Sequence, residues 1–337
     1  MPNPNGQIPE STVLATAVGI EVELLDYGAT LKSIRVPVGD QFVDVLLSYP
    51  ANEDYLQDKV YLGATVGRYA GRIDSGATRV QGRSIQLECN EQNTGHCLHG
   101  GPKGFSHQFW SVSERSSDHV SYEYVSADGD QGFPGCLTTR VSYRLLGSNT
   151  LQIEFTAETD QETIVNLSNH AYFNLNCIDS GVENHELMIN SGLYTPLGSN
   201  SLPMGEIKQV ADSIFDFRQK RCLRERLYSP DAQLDLAGGF DHYFLLNKDV
   251  SKAGVAATVY SPQSGIMMNI YTDQPGVQFY SGNWLGAPFK PRAGLCLEFQ
   301  DVPNEPNMDG FASTILRAGD TYRRQITLEF NCLPGNR

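Results

Sequence analysis

The stretch "LTTRVSYRLLGSNTLQIEFTAET" (137–159) consists of two runs rich in β-branched and aromatic residues, with Gly-Ser-Asn at the bend between them. Such side chains suit a pleated, half-buried surface, and Gly, Ser and Asn supply the turn, so the stretch predicts a β-hairpin. The same reading extends in both directions. "TVLATAVGIEVELL" (12–25) and "LKSIRVPV" (31–38) are short, β-branched and partly alternating. "FWSVSERSSDHVSYEYV" (109–125) reads as two strands around a polar turn, and "VAATVYSPQSGIMMNIYT" (255–272) as a hairpin turning at "PQSG". "YRRQITLEF" (322–330) is a closing strand. Only "SIFDFRQKRCLRERLY" (213–228) carries a helical pattern, and it is short of apolar positions. Strands at close spacing with turn signals predict an all-β sandwich or barrel with few short helices. No linker, low-complexity tract or repeat interrupts the pattern. Residues 1–337 are therefore expected to form one domain, with residues 1–11 loose ahead of the first strand.

Composition limits what such a fold can do. The chain has 337 residues, 40% of them hydrophobic and 19% charged, which is ample for a large core. Its formal charge is 25 − 39 = −14. That excess of carboxylates argues against a nucleic-acid backbone or an anionic membrane surface as partner, since both require positive charge. A neutral small molecule is compatible with it. The seven cysteines are an odd number and show no CxxC spacing, so neither a zinc ribbon nor a thioredoxin-like motif is indicated. Free thiols in a reducing compartment are the simplest reading. The N-terminal "MPNPNGQIPES" lacks the basic and apolar regions of a signal peptide, and no apolar run reaches membrane-spanning length. A cytoplasmic protein is the expectation.

Several polar stretches interrupt the β pattern. "NTGHCLHGG" (93–101) places His96 and His99 three apart. That spacing suits two metal ligands on one helical turn, but Gly95, Gly100 and Gly101 make a loop the better reading. "NLSNHAYFNL" (166–175) sets His170 among Asn166, Asn169 and Asn174. Either it is a core histidine bonded to an asparagine, or the asparagines fix its tautomer for proton transfer. In "GLCLEFQDVPNEPN" (294–307), Glu298 lies among Leu295, Leu297 and Phe299. Strict alternation would turn it to solvent. If it is instead buried, desolvation raises its pKa toward that of a working general base. "GRYAGRI" (67–73) carries Arg68, the better structural partner, and Arg72, placed to donate to hydroxyl or carboxylate oxygens. Asp241 in "GGFDHYFLL" (238–246) follows two glycines and reads first as a turn former. Gln278 and Tyr280 in "DQPGVQFYSGN" (273–283) could be one outward face of a strand. Phe105, Trp110, Tyr172 and Phe173 read as core, with a sugar platform as the minority reading for any one of them. No GxSxG elbow, GxGxxG loop or Walker loop is present, and no histidines pair at HxH or HxxxH, so a metal site has little support.

In combination, "GRYAGRI", "LHGGPKGF", "NHAYFNL", "GFDHYF", "QPGVQFYSGN" and "GLCLEFQDVPNEPN" resemble the motifs of the aldose 1-epimerase family, the galactose mutarotases, in the family's order. The resemblance implies a large antiparallel β-sandwich of the galactose mutarotase type. It implies Glu298 as general base, His170 as general acid and His99 as the histidine beside the sugar's ring oxygen. It implies Arg72, Asp241, Gln278 and Tyr172 as groups holding the sugar. The implied activity is anomer interconversion of free hexoses with no cofactor and no metal, by a monomer or homodimer. It requires His170 protonated and Glu298 ionised at the start. The chain departs from the family at Gly71 and His96, where many relatives carry asparagine, and in "DVPNEPN". Two other readings remain at this point: a glycosidase using Glu298 and Asp241 as a carboxylate pair, and a catalytically silent sugar-binding protein.

Overall fold

The computed structural model describes residues 6–176, 180–247 and 254–333. Its largest element is a nine-stranded sheet. The opening hairpin forms two of its strands, Leu137–Leu145 and Thr150–Thr159, in register from Leu137↔Thr159 to Leu145↔Leu151. Gly147 takes a left-handed conformation at the bend (φ 74°), and the Leu146 N–H closes the loop on the Thr150 carbonyl. Alternation is strict here: Leu137, Val141, Tyr143, Leu151, Ile153 and Phe155 face inward, while Arg140 and Arg144 face out. The closing strand Thr321–Cys332 lies beside Thr150–Thr159 and joins it to the hairpin Ala257–Tyr260/Ile266–Thr272.

A five-stranded sheet packs against this one. Its central strands are Asp241–Leu245, Gly276–Tyr280 and Cys296–Gln300. Phe244, Val277, Phe279, Leu297 and Phe299 join Val141, Tyr143, Ile153 and Phe155 in one apolar cluster. Each such side chain contributes about 1.5–3 kcal/mol on burial. A four-stranded sheet, Ser11–Ala15, Glu21–Leu25, Thr30–Val38 and Gln41–Asp44, contributes Leu14, Val22, Leu24 and Ile34 to the same core. All strand ladders among the described residues are antiparallel. The fold is an all-β sandwich.

The run 12–25 folds as the strands Ser11–Ala15 and Glu21–Leu25. Two expectations need correction. The helical pattern at 213–228 is helical only over Leu223–Leu227, because Arg221–Cys222 is drawn into the sheet edge against Glu186–Leu187. A second short helix, Ala232–Ala237, is capped by the Asp231 side chain, which accepts from Gln233 N–H, and ends at the left-handed Gly238. The N-terminal segment is also tied down earlier than predicted. Glu10 exchanges hydrogen bonds with Asp26, and the Asn52 amide donates to the Pro9 carbonyl. Residues 1–5 lie outside the described residues. Cys89, Cys97, Cys136, Cys222, Cys296 and Cys332 are free thiols, while Cys177 also lies outside. No described helix is long and apolar enough to cross a membrane.

Candidate active site

The strand Cys296–Gln300 is buried along its whole length. Leu297 and Phe299 enter the core, so alternation sends Cys296, Glu298 and Gln300 to the opposite face. That face is not solvent. It is the floor of a cavity of about 270 Å³, lined by Arg72, His99, His170, Tyr172, Asp241, Gln278, Glu298 and Gln300 among others. All seven candidate site residues therefore meet in one place. Alternation and burial, which the sequence set against each other at Glu298, are both satisfied because the strand has a core face and a cavity face.

Register supplies the neighbours. Gln278 stands directly opposite Glu298, and Tyr243 opposite Gln278. Diagonal to Gln278, Asp241 accepts a hydrogen bond from its amide (Nε2–Oδ1 2.7 Å). Asp241 is thus a site carboxylate rather than a turn former. Arg72 comes from a small ladder, Arg72–Ile73 against Cys97–Leu98, that also delivers His99. Its guanidinium grips Glu91 with two bonds of 2.8 and 2.9 Å, and Nη1 lies 3.8 Å from Asp241. Burial opposes the charge on Arg72, but Asp241, Glu91 and Glu298 more than offset that and raise its pKa.

His170 is held through its backbone. Its N–H donates to the Ala64 carbonyl, and its own carbonyl accepts from Gly63. The asparagines around it do not set the ring. Asn166 donates to the Ala70 and Asp301 carbonyls, Asn169 to Gly63, and Asn174 to Ser180 and Ala293, so they brace the surrounding loops. The ring's neighbour is Cys296, whose Sγ lies 3.6 Å from Nδ1. On the other side, Nε2 lies 3.7 Å from Glu298 Oε1. His99 faces the second carboxyl oxygen, Nε2 to Oε2 4.0 Å. The Gly71 N–H donates to His99 Nδ1 (3.1 Å), so the ring proton sits on Nε2 and points into the cavity.

That tautomer also bears on metal binding. His99, His170 and Glu298 hold their ligand-type atoms within 4.8 Å of one another. A metal bound at His99 Nε2 would need that nitrogen unprotonated while Nδ1 is already filled by a donor.

Burial dominates the electrostatics. It pushes His170 down to about 4 and, together with the Asp241 charge and against Arg72, pushes Glu298 up to about 8. His99 is also held well below its usual value by burial and by the neighbouring His170 and Arg72. The raised Glu298 value agrees with the sequence expectation for a buried carboxyl, whereas the resting protonation of the pair, expected as a charged His170 beside an ionised Glu298, is reversed. Burial disfavours both charges, so at neutral pH the carboxyl of Glu298 holds its proton and His170 is neutral.

Of the remaining candidates, Tyr172 packs on His170 at 5.1 Å between ring centroids. Phe105, Trp110 and Phe173 are core. His96 bridges loops, accepting from Ser75 N–H at Nδ1 and meeting the Asn200 carbonyl with Nε2, and does not line the cavity. Arg68 is structural: its guanidinium donates to Ser126 Oγ and to the carbonyls of Ser126, Ala127, Pro134 and Gly135. Sequence reasoning missed Glu91, Gln300, Tyr61 and the exposed Trp284, all but the first of which line the cavity. Gln300 had a signal, its two-residue spacing from Glu298. The others are brought in by loops.

Known proteins bear on this site. The sequence profile of the family described as aldose 1-epimerase matches residues 11–329. The chain is 36% identical to the aldose 1-epimerase of Escherichia coli (strain K12) over 337 residues, covering 97% of this chain and 96% of that protein. It is 34% identical to the galactose mutarotase of Homo sapiens over 322 residues, covering 93% and 91%. Among solved structures, an aldose epimerase homologue from C. elegans superposes with a TM-score of 0.90 at 28% identity, covering 97% of this chain and 100% of that one. The galactose 1-epimerase from Lactobacillus acidophilus NCFM superposes with a TM-score of 0.86 at 28% identity, covering 98% and 97%.

Proposed function

The chain belongs to the aldose 1-epimerase family, and from that premise we propose that it interconverts the α and β anomers of a free hexose such as galactose or glucose, with Glu298 and His170 moving the protons. The observation that supports this most is the placement of one buried carboxyl between two imidazole nitrogens, at 3.7 and 4.0 Å, on the floor of the cavity. The pair's one proton passes from Glu298 to His170 Nε2 when the sugar is bound, and the Glu298 carboxylate then takes the proton of the C1 hydroxyl. The C1–O5 bond breaks as the C1 carbonyl forms, and O5 takes a proton from His170 Nε2. Rotation about C1–C2 presents the other carbonyl face, and reclosure returns both protons. His99 Nε2–H donates to the ring-oxygen side. Arg72, Asp241 and Gln278 hold hydroxyls, with Glu91 fixing Arg72, and Tyr172 packs on His170. The carboxylate-pair reading is disfavoured, since Glu298 faces histidines while Asp241 is engaged by Arg72 and Gln278. The six free thiols support a reducing, cytoplasmic setting. Polarimetry on freshly dissolved α-galactose and α-glucose tests the activity. Optical rotation that relaxes no faster with the protein than without it, for every aldose tried, would refute it.

The proton inventory gives a pH profile. Between about 4 and about 8 the pair holds one proton, the only count that leaves both an acid and a base. Below about 4 His170 is protonated while Glu298 remains so, and no base is left. Above about 8 Glu298 loses its proton, and no acid is left. The kcat/KM profile should therefore be flat across that window and fall on both sides, with limbs that belong to the pair. A limb falling near pH 6 would contradict the inventory.

Since His99 presents a protonated Nε2, the reaction should need no metal. Activity is expected to survive prolonged dialysis against EDTA. Loss on dialysis that added zinc restores would overturn this.

A further inference from the structure

Gln300 is fully buried, and neither its amide nitrogen nor its carbonyl oxygen has a hydrogen-bond partner in the protein. Burying a carboxamide with both ends unmet is costly, and such groups are rare in folded proteins. The backbone around it is orderly: its carbonyl accepts from the Tyr243 hydroxyl, and the residue stands opposite Gly276 in the ladder. The side chain forms part of the cavity wall. Beside it lies Gly71 at φ 83°, where a Cβ would come within 3.2 Å of Gln300 Nε2 and 3.1 Å of Pro303. Any side chain at Gly71 would press on the amide from that direction.

We propose that Gln300 is a further substrate-positioning residue, whose carboxamide binds the hydroxyls on the far side of the sugar ring from C1. The assignment rests on the epimerase reading above. Glu298 and Gln300 are consecutive positions on one strand face. Two residues of antiparallel strand advance about 6.8 Å, roughly the width of a pyranose with its hydroxyls. With C1 and O5 held at Glu298 and His170, the ring edge that reaches Gln300 carries the C3 and C4 hydroxyls. An amide offers a donor nitrogen and an acceptor oxygen, which match two neighbouring hydroxyls, and its terminal torsion is soft enough to turn into the cavity on binding.

The test is Gln300→Met, which keeps the length and removes both polar atoms. The sugar-free variant should melt no lower than wild type, since it loses no protein hydrogen bond. Its KM for galactose should rise about fivefold to tenfold with kcat nearly unchanged, because the contact is present before and during reaction. A 3-deoxy or 4-deoxy hexose should cost wild type a similar factor and cost the variant nothing further, whereas a 6-deoxy hexose should affect both alike. Unchanged KM, or an equal loss with every analogue, would overturn the assignment. Wild-type protein that epimerises no aldose would instead sink the epimerase reading itself, so the two failures are distinguishable.

Discussion

Glu298→Gln is expected to lower kcat about 10²–10⁴-fold while leaving KM within a few-fold, the range in which positioned acids and bases contribute. Glutamine keeps the shape of the side chain and its capacity for hydrogen bonds but cannot accept the C1 hydroxyl proton. His170→Asn should lose a comparable factor, because O5 then has no proton source. The double variant should be hardly worse than either single one, since a relay missing one end is already broken. Folding supplies a control. Burial raises the Glu298 pKa to about 8, above the value of an exposed carboxyl. Its neutral form is therefore the one the fold favours, and stability is lost as pH rises through that value. Glutamine carries no such charge, so the variant should be at least as stable as wild type at pH 8. A folded Glu298→Gln with near-normal kcat would reject the assignment and reopen the sugar-binding reading.

Arg68→Leu should have the largest effect on stability. Arg68 is buried, with its guanidinium spread over the Ser126 hydroxyl and four backbone carbonyls, and it stacks over Phe133 at 5.6 Å. Burial lowers its pKa only to about 10, so it stays charged at neutral pH. Leucine would remove every one of these bonds and leave the buried Ser126 and Gly135 carbonyls without the guanidinium donors. The cost should be about 3–5 kcal/mol, well above the roughly 1 kcal/mol of an ordinary substitution. Urea unfolding of the two proteins measures it. Arg68→Lys should fall between them, since an ammonium supplies three donors in place of five. Arg72→Met should show the converse, a raised KM with a smaller stability loss. A shift below 1 kcal/mol for Arg68→Leu would contradict the structural role.

These two arginines, four residues apart in "GRYAGRI", mark how far the sequence was legible. Sequence alone did not separate them cleanly, and the folded chain does, with Arg68 meeting the 126–135 loop and Arg72 meeting Glu91. Strands were legible because period-two burial is local: Leu137–Leu145 could be read without its neighbours. The helical pattern at 213–228 misled because pairing of Arg221–Cys222 with another strand overrode local preference. At Glu298 the sequence set alternation against burial, and the answer lay in a strand buried on both faces. His170 was found, but its ring partner was assigned to nearby asparagines, whereas Cys296 arrives from 126 residues away. The upward shift at Glu298 was expected, but the resting place of the pair's proton was misjudged for a related reason. Sequence names the acid and the base, while the depth of burial decides where their shared proton rests.

The most direct test of the account is anomeric exchange measured by NMR saturation transfer, with free galactose and methyl galactoside offered to the same protein. Proton removal from the C1 hydroxyl requires that hydroxyl. Rapid exchange between the two anomers of the free sugar is expected, with the glycoside left untouched. Absence of catalysed exchange in the free sugar, or conversion of the glycoside, would contradict the central claim.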